Sequence, residues 1–595
     1  MKKCHYYIAG LLLVAAYYAV QFLGPAWIRF LVDQGQFGLL NQLTLSSANQ
    51  HPGFYLGRGE ELVWGPVLQV ISGAILILIA LGPLKAVSAR GYFLVIFVFL
   101  LMTKWNVLAF PPYGDSIGGP FAEGWWLAQH NFDYVGLFHQ PGYAIGGPKV
   151  YQTSLFPTYL AVLYKLCPSI KAFLAVNHLI FFAMAAGVVT LVRAIGRRVF
   201  SVEVAGLAAA LVLSWPVFQT QLEAGNMELP SLFFAMICAF ALVRGQINAA
   251  GIAALLSLLA KGSGVFACAA FFCCGLLALI GETKTRRRIA WIVWGLGLMG
   301  MAALAVAVKF WVGDQHASAG MIKFMAGWPS LKTFPITYVY LVNIGLLFLV
   351  WLFWPQKFAG QEQRDSQRIN HIMLIFAGMW FLLFLNFYVV CPRYRLAVYP
   401  FYLFTLVWTF AQFCSRQVWQ AVVLAGAVLL VQYNSYGWRG SEIPRDYVLL
   451  EENLQYRNDL KLYQDLAAAI ETKYAGATVV APFIVAQALA IRDFGFVTRP
   501  QDVVIYGFDC KYGRIREYEG LGSLNMARTI YTSLEADQGI KGLPYPINPD
   551  DKVLEVLEWG DRKAWIFMGG ISIDFMWKMQ NYQRLQRLKE AQGVI

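Results

Sequence analysis

The chain has 595 residues, 58% of them hydrophobic and only 14% charged, with a mean hydropathy of +0.53. Soluble domains carry about 25% charged and 45–50% apolar residues, so this composition excludes a cytosolic enzyme, a disordered chain and a secreted disulfide scaffold. It predicts a polytopic α-helical membrane protein. The net charge of +13 is not gathered on one soluble face, as nucleic-acid binding would require; it lies in short clusters between apolar runs.

A spanning helix needs about 20 mostly apolar residues. Candidate spans lie at 6–24, 63–83, 91–110, 171–192, 199–216, 229–244, 247–260, 264–281, 289–312, 336–355, 370–390, 396–413 and 418–435. The pair 247–260 and 264–281 reads either as two spans, giving about thirteen, or as one long broken helix. With a cytoplasmic N-terminus, Lys2/Lys3, Lys85/Arg90, Arg193/Arg197/Arg198, Lys284 with Arg286–Arg288, Lys357/Arg364/Arg368 and Arg416 all fall inside, as positive charge in short loops demands. Only an odd count satisfies every loop. The opposite side then receives 25–62, 111–170, 217–228, 313–335, the short turn 391–395 and everything after about 436. The first apolar run reads as a retained helix, because no small-residue cleavage site follows it.

Beyond Tyr436 the sequence becomes charged and mixed. Residues 459–474 and 522–537 read as helices, 477–482, 502–507 and 563–568 as strands, and 572–592 as a terminal helix. Alternating short elements predict a small extracytoplasmic α/β domain over 436–595, after a transmembrane domain over 1–435. The nine cysteines include no CxxC pair; five sit in or beside apolar runs, as small hydrophobes. A Cys391–Cys510 disulfide is open to the chain if both residues face an oxidising compartment.

Chemistry concentrates on the external side. The loop 111–170 is too aromatic to be disordered and too long to be a mere connection. Its segments 121–130 and 155–166 read as helices lying along the membrane surface, with Trp125, Trp126 and Tyr164 at headgroup level. Asp115 heads this loop, either as a turn aspartate (Tyr-Gly-Asp-Ser) or as a partly desolvated carboxylate able to take a hydroxyl proton. Glu223 and Glu228 lie in the next external loop, where Glu228 either complements a helix dipole or binds substrate. Lys261 ends an apolar helix, where a charge is costly unless paired or functional. Arg393 and Arg395, beside Tyr394, break the positive-inside pattern and call for an anion, either a lipid headgroup or a bound phosphate. His139 is either a solvated loop histidine or a donor to a phosphate oxygen.

In order these are an aspartate opening a long external loop, His139-Gln140-Pro141, a glutamate opening a helix, Lys261-Gly262, and Pro392-Arg393-Tyr394 followed by Tyr399-Pro400. The series, over residues 91–413, resembles the GT-C glycosyltransferases, and most the branch holding protein O-mannosyltransferases and lipid A aminoarabinose transferases. The resemblance implies an inverting transfer of a sugar from a polyprenyl-phosphate donor to a lipid, glycan or protein hydroxyl outside the cytoplasm, in the cell (inner) membrane. It implies Asp115 as general base and Lys261, Arg393 and His139 at the departing phosphate. Glu228, or Glu223 in its place, would bind the sugar or acceptor, and Tyr394 the phosphate or sugar. No metal is required with a monophosphate donor; a diphosphate donor would call for Mg²⁺ or Mn²⁺ on Asp115 and a glutamate. The rival readings are a lipid-linked sugar flippase, against which no inverted repeat is found, and a membrane assembly factor without catalysis.

Overall fold

The computed structural model describes residues 2–44, 63–114, 116–139, 155–281, 284–312, 361–384, 392–414, 416–435, 454, 456–506, 529–534, 552–559 and 562–568. The predicted span 336–355, residues 385–390 of the predicted span 370–390, both cysteines of the Cys391–Cys510 pair and the predicted terminal helix 572–592 lie outside them.

Within these residues the chain is mostly helical. The helices are α1 (Lys2–Asp33), α2 (Phe37–Thr44), α3 (Gly65–Leu81), α4 (Ala89–Thr103), α5 (Ala122–Gln129), α6 (Tyr134–His139), α7 (Leu155–Leu166) and α8 (Ile170–Gly196). They continue with α9 (Val202–Ser214), α10 (Pro216–Ala224), α11 (Glu228–Val243), α12 (Ile247–Ala260), α13 (Val265–Gly281) and α14 (Thr285–Val312). After these come α15 (Gln361–Phe384), α16 (Tyr399–Phe413), α17 (Gln417–Tyr433), α18 (Tyr456–Lys473) and α19 (Phe483–Ala490). Every predicted span except 336–355 falls on one of them. Among the described residues, three helical stretches are long and apolar enough to cross a membrane by themselves: His5–Asp33, Ile170–Gly196 and Gly262–Leu279. Shorter apolar helices include α3, α4, α11, α12 and α17; the first four pack on these three, and α17 packs on α3 and α9.

Helix starts follow local chemistry. Ser88, Ser169 and Ser201 each precede a helix and accept a hydrogen bond from the backbone N–H three residues on, satisfying an otherwise orphaned donor. The predicted span 91–110 stops early, at Thr103: Lys104 leaves the helix and a 3-10 turn, Trp105–Ala109, follows. The predicted external loop 217–228 is corrected more fully. Pro216 offers no N–H to continue α9 and holds Trp215 extended (φ −62°, ψ 128°), so the chain bends by 59° and resumes as the buried helix α10. Gly225, at φ +66°, closes α10 with the left-handed turn that glycine adopts without strain. The predicted turn 391–395 is likewise a 3-10 helix, Pro392–Ala397.

In the long loop 111–170, the predicted helices 121–130 and 155–166 are α5 and α7, and they pack closely. A Cβ at Gly124 would stand 2.7 Å from the Leu160 Cβ, so only glycine lets the two helices approach this far.

The C-terminal segment forms a five-stranded sheet of order β2-β1-β3-β5-β4, from β1 (Thr478–Pro482), β2 (Val503–Tyr506), β3 (Thr529–Leu534), β4 (Lys552–Trp559) and β5 (Arg562–Met568). β1 runs parallel to β2 and β3, and the β3–β5 and β5–β4 pairs are antiparallel. The predicted strands 477–482, 502–507 and 563–568 are β1, β2 and β5, and the predicted helix 459–474 is α18. The predicted helix 522–537 is corrected: its described part is β3, whose Thr-Ile-Tyr-Thr run suits a strand paired on both sides.

Candidate functional site

Four of the residues singled out in the sequence meet at one place. Glu228 opens α11, Lys261 caps the end of α12, and Arg393 and Tyr394 lie on the 3-10 helix Pro392–Ala397. Lys261 donates to Glu228 Oε1, and Arg393 Nε lies 3.3 Å from the same oxygen. Below them, the Lys261 ammonium stands 4.4 Å from the Tyr394 ring centroid and the Arg393 guanidinium 5.2 Å from it, both within cation–π range. The Glu228 side chain is buried and those of Lys261 and Arg393 nearly so. Among the described residues this places two cations beside one carboxylate at a poorly hydrated position, where charges interact more strongly than in water.

The local sequence explains the meeting. α11 and α12 are rich in small residues, and their facing serines clasp: the Ser257 hydroxyl donates to the Ser231 carbonyl at 2.9 Å, and the two hydroxyls lie 3.1 Å apart. Such pairs fix register between apolar helices, here in addition to the Lys261–Glu228 pair at their ends. After Ala260 the backbone turns extended at Lys261 (φ −155°, ψ 139°) and runs through the tight Gly262–Gly264 turn. A Cβ at Gly264 would run into the Ser257 carbonyl and stand 2.7 Å from the Leu258 nitrogen, whereas one at Gly262 would meet nothing within 4 Å. The turn is thus packed on one side and open on the other.

Glu223 belongs to a second cluster. Its side chain has no exposed surface and that of Lys104 only 5%. Lys104 donates to Glu223 Oε1. Arg457, from α18, grips both carboxylate oxygens, with Nε 2.9 Å from Oε2 and Nη2 2.7 Å from Oε1. The Tyr456 hydroxyl donates to Oε2 at 3.0 Å. On the same helix Asp459 accepts from the Tyr113 hydroxyl at 3.3 Å. Glu223, read from sequence as an external-loop residue that could take the place of Glu228 at the substrate, instead ties the C-terminal segment to the helical part.

Asp115 lies outside the described residues. Its neighbours frame the position: Gly114 is left-handed at φ +60°, and Ser116 is buried, its hydroxyl without a hydrogen-bond partner among the described residues. His139 ends α6, but its side chain lies outside the described set. Arg395 is half-buried two residues beyond Arg393. Among the described residues, no group of three or more His, Cys, Asp or Glu could hold a metal ion.

Sequence reasoning missed Lys104, Tyr113, Tyr456, Arg457 and Asp459. Lys104 carried a readable signal, a lone lysine inside the apolar run 91–110, which demands a partner. The α18 residues carried none.

No protein-family model matches the chain, and no curated protein matches it. Among solved structures it is similar to a crystal structure of ArnT from Cupriavidus metallidurans bound to undecaprenyl phosphate. That likeness has 12% sequence identity and a TM-score of 0.43, and it covers 80% of this chain and 98% of that one. Likeness at that level does not assign a function, which rests on the side chains.

Proposed function

We propose that the chain is an inverting glycosyltransferase of GT-C type, moving a sugar from a polyprenyl-phosphate donor to an acceptor hydroxyl on the extracytoplasmic side of the membrane. The observation that carries this reading is the convergence of Lys261, Arg393 and Tyr394 on Glu228. A glycosyl phosphodiester carries one negative charge, and the phosphate gains charge as the sugar leaves. Lys261 and Arg393 are the donors that would face the first and stabilise the second; fixed donors of this kind are worth several kcal/mol of barrier.

In this mechanism Asp115 takes the proton of the acceptor hydroxyl as its oxygen attacks the anomeric carbon. The bond from that carbon to the phosphate oxygen breaks on the opposite face, its electron pair passes to the phosphate, and the configuration inverts. Lys261 and Arg393 hold the departing lipid phosphate, with His139 and Arg395 as further donors. Tyr394 stacks on the sugar or bonds the phosphate. Both cations approach Oε1 of Glu228, and its other oxygen is assigned to a sugar hydroxyl. Glu223 anchors α18 in place of binding sugar. With a monophosphate donor the reaction needs no metal.

The test is transfer of radiolabelled sugar from polyprenyl-phosphate donors to membrane extracts. Asp115→Asn should bind donor and lose transfer. Arg393→Ala should weaken donor binding and slow transfer together. No transfer from any donor, with donor binding and lipid movement intact, would replace the enzyme by a flippase.

A further inference from the structure

A groove of about 540 Å³ runs between α1, α3 and α4, and neither Glu223 nor Glu228 lines it. Its lining is almost wholly apolar, including Leu11, Val14, Ile79, Leu94 and Val98. Gly10 lies on it, with nothing within 4 Å of where a Cβ would stand. α1 is a membrane-spanning candidate that buries little of itself; Leu11 is 71% exposed. Two hydroxyls close one end, Tyr17 donating to the Thr103 carbonyl at 2.5 Å and Tyr18 to that of Met102 at 2.8 Å. From Tyr6 to Tyr18 the α1 wall is about 18 Å long at 1.5 Å per residue, close to one leaflet of a roughly 30 Å hydrocarbon core.

The other end is basic. Arg90, Leu94 and Val98 follow one another at four-residue spacing on α4 and so share a face. Because Leu94 and Val98 line the groove, exposed Arg90 stands over its mouth. The turn beside it is pinned by Arg193, which donates to the carbonyls of Lys85 and Val87 and lies 4.2 Å from the Tyr92 ring centroid. Exposed Arg197 follows one turn on. Against Lys85, Arg90, Arg193 and Arg197 stands one described carboxylate, Glu203, paired with Lys85 at 2.6 Å. An apolar slot one leaflet deep, ending under surplus positive charge, has the shape and charge of an anionic lipid.

We infer that this groove binds one anionic phospholipid, its acyl chain between α1, α3 and α4 and its phosphate at Arg90 and Arg197. The site is separate from the Glu228 cluster and independent of the reading given to it.

The full chain, purified in detergent and delipidated, is titrated with phosphatidylglycerol and with phosphatidylcholine of the same acyl chains, and bound lipid is counted by native mass spectrometry. One phosphatidylglycerol per chain is expected at concentrations where phosphatidylcholine is not retained. Gly10→Leu, whose side chain enters the open space, should lower phosphatidylglycerol retention about tenfold or more. Arg90→Gln, at an exposed position that leaves the fold alone, should lower it about fivefold. Equal retention of the two lipids overturns the proposal, as does phosphatidylglycerol binding that both variants leave unchanged. Polyprenyl phosphate retained more tightly than phosphatidylglycerol, with that retention lowered by both Gly10→Leu and Arg90→Gln, overturns the choice of occupant.

Discussion

Glu223→Gln should be among the most damaging single substitutions outside the apolar core. The carboxylate receives four hydrogen bonds, from Lys104, from both arms of the Arg457 fork and from Tyr456. An amide keeps one acceptor oxygen and turns two donors toward the cations. Lys104, with 5% of its side chain exposed, is then an uncompensated buried charge facing a second one. Removing one partner of a buried ion pair costs about 3–5 kcal/mol, a large share of the roughly 5–15 kcal/mol that holds a folded protein. At about 2 °C per kcal/mol for a large domain, the unfolding midpoint should fall by roughly 6–10 °C. The assay is thermal unfolding in detergent followed by tryptophan fluorescence, for Glu223→Gln, Lys104→Met and the double variant. Contacting charges couple by about 0.5–3 kcal/mol, so the double variant should unfold well above the midpoint that summing the two losses gives. Strict additivity, or a Lys104→Met midpoint equal to wild type, would refute the pairing.

Gly264→Ala drives a methyl into the Ser257 backbone and should displace the end of α12 that carries Lys261, cutting transfer at least tenfold while the C-terminal sheet stays folded; full activity would show that the turn need not be tight. Ser231→Ala with Ser257→Ala removes the α11–α12 clasp and should cost about 0.6–1.7 kcal/mol, read as a small drop in midpoint with a larger loss of donor affinity as register loosens. Burial pushes the Glu471 carboxylate up, but bonds from the Thr498 hydroxyl and N–H and from the Arg499 N–H, with the Arg499 charge, together outweigh this and hold it below the usual carboxylate range. A folded value below the unfolded one means that its stabilisation is present above the unfolded pKa of about 4.3 and is lost as pH falls through the folded value. Amide exchange at Thr498 and Arg499 should therefore quicken only in that acid range, and Glu471→Gln should abolish the step.

Most helices were legible because an apolar run in a membrane protein has few other fates. The Glu228 cluster was legible for the complementary reason: Lys261 and Arg393 are charges at the ends of such runs and require an anion nearby. What the pattern could not carry was α10. Its Gln219-Thr220-Gln221-Leu222-Glu223 reads as a polar loop, and it becomes a buried helix only because Lys104 and Arg457 neutralise it from elements remote in sequence. The strand β4 was hidden for a related reason. Lys-Val-Leu-Glu-Val-Leu-Glu-Trp fits helical spacing as readily as alternation, and pairing with β5 decides between them.

The Arg457 grip also sets an order of assembly. Arg457 follows Glu223 by 234 residues, which a ribosome at roughly 5–20 residues per second takes about 12–47 s to deliver. Throughout that interval Lys104 is already made, so Glu223 can be neutralised one-to-one inside the early helices and wait there as an ion pair of zero net charge. The second cation then arrives on a finished lipid-facing scaffold. The membrane part can thus assemble before its last segment is translated, and that segment docks onto a site already built to receive it.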